Sequence, residues 1–82
     1  MREFITKTLK KARITGKMDE TYVATDGFGT VTLKGTVTNG LADFELKRTK
    51  PNGHQCSGMP VMGMPLTDNN IVDIADRAVE SL

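Results

Sequence analysis

Eighty-two residues hold one domain, since domains typically run to about 100–150 residues. Hydrophobic residues are 38% of the chain and aromatics 5%, a thin core supply, and a single cysteine excludes an intramolecular disulfide. The net charge of +1 excludes a global pull toward nucleic acid or anionic lipid, and no apolar run approaches the ~20 residues of a membrane span. Extra stability is therefore expected from a homo-oligomer or a partner. The free thiol and the lack of an export signal point to the cytoplasm.

Charge is unevenly placed along the chain. Residues 1–17 carry Arg2, Lys7, Lys10, Lys11, Arg13 and Lys17 against Glu3 alone, a net +5. Residues 18–46 are acidic, Lys47, Arg48 and Lys50 are basic, and the segment from Pro51 onward is acidic again.

The N-terminal segment, residues 1–18, reads two ways. As a helix, Phe4, Ile5, Leu9 and Ala12 share a stripe and Gly16 stands at the C-cap. As a strand, the β-branched residues Ile5, Thr6, Thr8, Ile14 and Thr15 supply partial alternation. The run from Ile5 to Met18, ITKTLKKARITGKM, resembles the opening of small bacteriophage early proteins, which begin with a threonine- and lysine-rich strand. That resemblance implies a strand here and a phage or mobile-element origin.

Residues 21–49 read as a β-meander. Thr21 to Thr25 form a short strand, and Asp26-Gly27-Phe28-Gly29 turns into the next. Two alternating runs, Thr30 to Thr38 and Leu41 to Thr49, flank Asn39-Gly40, the dipeptide suited to a two-residue hairpin with positive φ at both positions. Such a loop sets the register: Val37 faces Ala42, Gly35 faces Phe44, Leu33 faces Leu46 and Val31 faces Arg48. The opposite face pairs Thr36 with Asp43, Lys34 with Glu45 and Thr32 with Lys47, so one face is apolar and the other polar. Phe44 is expected to cover the backbone that Gly35 leaves bare.

Residues 50–66 contain PNGHQCSGMPVMGMP, whose three prolines and three glycines predict a long irregular loop with soft methionine surface. A loop this long in a short chain is often functional. Met59, Val61, Met62 and Met64 are the expected anchors for a partner protein. A copper(I) site is an alternative, because His54, Cys56, Met59, Met62 and Met64 offer soft donors, although their spacing is permissive. Buried methionines that simply fill a gap are the plainer reading. The stretch from Met59 to Asp68 also resembles the axial-methionine loop of cytochrome c, but the C-x-x-C-H needed for covalent haem attachment is missing, so no cofactor is expected.

The last segment, residues 67–82, predicts a helix capped by Thr67. Ile71, Ile74, Ala75, Ala78, Val79 and Leu82 form one apolar stripe destined for the sheet. The fold class expected is α+β: a small antiparallel sheet of three or four strands with a C-terminal helix packed on one face.

No catalytic constellation stands out. His54 and Cys56 lack an orienting group, and Gly27-Phe28-Gly29 lacks the residues of a phosphate loop. The expectation is a non-enzymatic accessory protein that binds and modulates a host protein by steric occlusion. The alternative is nucleic-acid binding through Lys7, Lys10, Lys11, Arg13 and Lys17, with Lys47, Arg48 and Lys50 extending the patch. Against it stands the use of lysines to guard a sheet edge from aggregation.

Overall fold

The computed structural model describes residues 1–24, 27–58 and 60–81. Its first element is a helix, α1 (Arg2–Thr15), not the strand implied by the phage resemblance. Five β-branched residues cost such a helix up to about 0.7 kcal/mol each. Full burial of Ile5 and Leu9 alone returns about 2–3 kcal/mol each, and Ala12 and Thr8 lie on the same buried face. Tertiary burial therefore outweighs local propensity. Gly16 ends the helix in the left-handed region at φ 79°, donating its N–H to Ala12 O, while its own carbonyl accepts from Val37 N.

Three strands follow as a meander: β1 (Lys17–Val23), β2 (Thr30–Thr38) and β3 (Leu41–Thr49). β1 starts four residues earlier than its β-branched run suggests, because Met18 enters the core opposite Gly35. Thr25 and Asp26, the end of that expected strand and the start of its turn, lie outside the described residues. The β2–β3 register agrees with the sequence reading at every pair, from Val31 with Arg48 to Val37 with Ala42. Asn39 and Gly40 both take positive φ, 54° and 78°, as the two-residue turn requires.

The expected irregular loop is largely strand. β4 (Gln55–Ser57) pairs with the C-terminal half of β3, and β5 (Val61–Pro65) with its N-terminal half. Together they occupy the fourth position and one edge of the antiparallel sheet. The glycines and prolines do not bar pairing here, because they fall at the break between the two strands, at a bulge and at strand ends.

The last element, α2 (Ile71–Glu80), starts one turn later than expected, with Asn70 rather than Thr67 at its N-cap. Thr67 still acts on the preceding turn: its Oγ1 accepts from Asn70 N, and Asn70 Oδ1 accepts from Thr67 N at 2.7 Å. Leu82 lies outside the described residues. Both helices cover the apolar sheet face, burying Ile5, Leu9, Leu33, Leu46 and Ile71 completely or nearly so. The result is an α+β fold whose other sheet face is polar and open.

Candidate functional site

β5 reaches its position through a bulge. Val61 pairs with Phe44 and Met64 with Ala42, so four residues of β5 oppose three of β3. Simple alternation would send residues 61 and 64 to opposite faces. The extra residue brings both to the helix-covered side, where each packs half-buried against the core. Gly63 supplies φ 63° at the bulge, and its N–H donates to Asp43 Oδ1 at 2.6 Å.

Beside β5 runs α2, with Gly58 at its C-terminal end, where a Cβ would come within 2.8 Å of Ser81 Oγ. Between strand and helix lies a groove of about 200 Å³, floored by Val61, Met64, Ile74 and Ala78 and rimmed by Asn70, Asp73, Arg77 and Ser81. Asp73 and Arg77 make no ion pair among the described residues. Small-molecule sites usually measure about 300–1,000 Å³, so this groove is of side-chain size.

The four sequence-predicted anchors divide. Val61 and Met64 line the groove, Met62 stands outside it at 77% exposure, and Met59 lies outside the described residues. Ile74, Ala78 and Arg77 were not among the candidates. The α2 stripe shows that Ile74 and Ala78 turn inward, but it carries no signal that β5 is their neighbour.

The described copper(I) donors, His54, Cys56, Met62 and Met64, do not converge, and Met59 lies outside the described residues. Cys56 pairs with Arg48 and Met64 with Ala42, six residues apart along β3, or about 20 Å. His54 is exposed beyond the end of β4. Among the described residues no three His, Cys, Asp or Glu side chains form a group able to hold a metal.

The basic residues are also dispersed. Lys11 pairs with Glu20 at 3.0 Å and Arg13 with Asp68 at 2.6 Å, while Arg2 pairs with Asp76 at 2.7 Å. Among the described residues Lys7 and Lys10 make no ion pair, but Lys17 belongs to β1 and pairs with Thr36 on the open sheet face, away from the helices. Because residues 2–15 are helical and Lys17 begins β1, Lys7, Lys10, Lys11, Arg13 and Lys17 do not line one continuous strand. Arg48 turns inward, with its guanidinium 3.8 Å from the Phe28 ring centroid and its Nε donating to Phe28 O.

No protein-family model, curated protein or solved structure matches this chain. Among the described residues no helix is long and apolar enough to cross a membrane.

Proposed function

We propose that this chain is a non-enzymatic protein-binding module that accepts an apolar side chain of its partner between β5 and α2. The observation that carries this reading is the groove itself: an apolar floor, a polar rim and a volume suited to one anchoring side chain. The partner does not extend the sheet. β5 lies at the sheet edge, but Pro60, Pro65 and the bulge at Gly63 blunt it against strand addition. Met62, exposed on the same strand, adds soft contact surface beside the anchor. The likeness of residues 5–18 to phage early proteins makes a bacterial host protein the partner to seek, with steric occlusion of its surface as the mode of action.

The test is affinity capture from a bacterial lysate, run with and without nuclease treatment, comparing the wild type with two variants. Ala78→Met fills the groove from its floor, and Arg77→Glu reverses an exposed rim charge without touching the core. A stoichiometric protein held by the wild type and weakened in both variants supports the groove. Retention unchanged in both, or a captured protein lost on nuclease digestion, overturns it; the second result moves the function to the basic residues.

A further inference from the structure

The helical face of the molecule carries two opposed charge stripes. α1 and α2 lie side by side and antiparallel, with Arg2 paired to Asp76 in α2 and Arg13 to Asp68 in the turn before α2. At 100° per residue, the side of α1 opposite the buried Ile5, Thr8, Leu9 and Ala12 presents Lys7 and Lys10. The side of α2 opposite Ile71, Ile74, Ala75 and Ala78 presents Asp73, Asp76 and Glu80. Lys7, Lys10, Asp73 and Glu80 make no ion pair among the described residues. Half of this surface is thus basic, half acidic, and the free charges are unsatisfied within one chain.

We propose that a second copy of this chain docks on that face, about a two-fold axis running along the groove between α1 and α2. Rotation about such an axis exchanges the two sides and preserves height along the helices. Each α1 then lies over the α2 of the other copy. Height follows from the Arg2–Asp76 pair and the 1.5 Å rise per residue, and it puts Lys7 within about 3 Å of the level of Asp73 of the second copy. A two-fold axis across the helices would instead stack α1 on α1 and oppose lysine with lysine. Charge complementarity therefore selects the axis.

The centre of the face fits the same arrangement. A broad depression there is lined by Thr6, Lys7, Lys10 and Val72, and Val72 is 38% exposed. On the axis, Val72 and the aliphatic stems of the lysines would meet their own copies and lose water together. Glu3, the sole acid of α1, comes level with Asp76 of the second copy, whose charge Arg2 already offsets. A net charge of +1 leaves little long-range repulsion between copies.

Area limits the strength of the dimer. Two helices about 10 Å wide and about 20 Å long bury about 400 Å² per copy. The total of about 800 Å² falls below the roughly 1,200 Å² of stable complexes. The dimer is accordingly weak, electrostatic and sensitive to salt.

Sedimentation over a range of concentrations tests the proposal. In about 0.01 M salt, where charges act over about 30 Å, the weight-average mass should rise toward twice the monomer as the protein approaches millimolar concentration. In about 1 M salt, with a screening length of about 3 Å, the rise should vanish. Lys7→Glu with Lys10→Glu, and separately Asp73→Lys, should each leave a monomer, and mixing the two variants should restore a heterodimer. A wild type that stays monomeric at low salt overturns the proposal. So does a dimer indifferent to salt or to both reversals, or a mixture that fails to reassociate.

Discussion

Replacing Gly35 by Ala reverses the ordinary effect of that substitution. In a strand interior Gly→Ala normally stabilises by about 0.5–1 kcal/mol, by reducing the freedom of the unfolded chain. At Gly35 a Cβ would run into Asp43 O and lie 2.5–2.6 Å from Phe44 Cβ and Cα. These are backbone atoms or the root of a buried side chain, so no rotamer change relieves the clash. Restoring contacts of about 3.4 Å requires β2 and β3 to part by about 1 Å at the centre of the sheet. Over-packing of this kind costs about 1–3 kcal/mol, and rigid surroundings place Gly35 at the upper end, near 3 kcal/mol. A domain of this length has a total stability of only about 4–12 kcal/mol. Urea denaturation should show the loss directly, and the thermal midpoint should fall by about 12–24 °C. A Gly35→Ala protein as stable as the wild type would refute the close approach of Phe44 to the Gly35 backbone.

Two further outcomes test other parts of the fold. Lys10 is exposed in the middle of α1, so Lys10→Gly should destabilise by about 1 kcal/mol relative to Lys10→Ala, measured by chemical denaturation; equal stabilities would contradict the helix. Arg48→Lys removes the planar guanidinium over Phe28 and the Nε donor to Phe28 O, and should cost about 1 kcal/mol; the backbone amides around Gly27 to Thr30 should then exchange hydrogen faster, and unchanged exchange there would deny Arg48 its part in holding the turn.

The central hairpin was legible because turn chemistry and side-chain alternation act over neighbouring residues. Asn39-Gly40 left one register, and that register sorted Leu33, Phe44 and Leu46 from Lys34 and Glu45 without any knowledge of the rest of the chain. The α2 stripe was legible for the same reason, although its start at Ile71 depends on how the Thr67–Asn70 turn closes. The groove was half legible. Val61 and Met64 stood out by composition, but their shared face depends on a bulge that only pairing with β3 creates.

What the chain determines by itself is the set of local, periodic elements and the face each buries. Tertiary structure decided the state of residues 2–15, where helix and strand propensities nearly balance and the burial of Ile5 and Leu9 against the sheet tips them. It also decided that a proline- and glycine-rich stretch becomes an edge strand, because β3 offers unpaired backbone donors and acceptors along its free side and burial makes satisfying them worth the local strain. Contacts between residues far apart in sequence leave no period behind them. The meeting of β5 with α2, and of a basic helix with an acidic one, could be read only once the chain had folded.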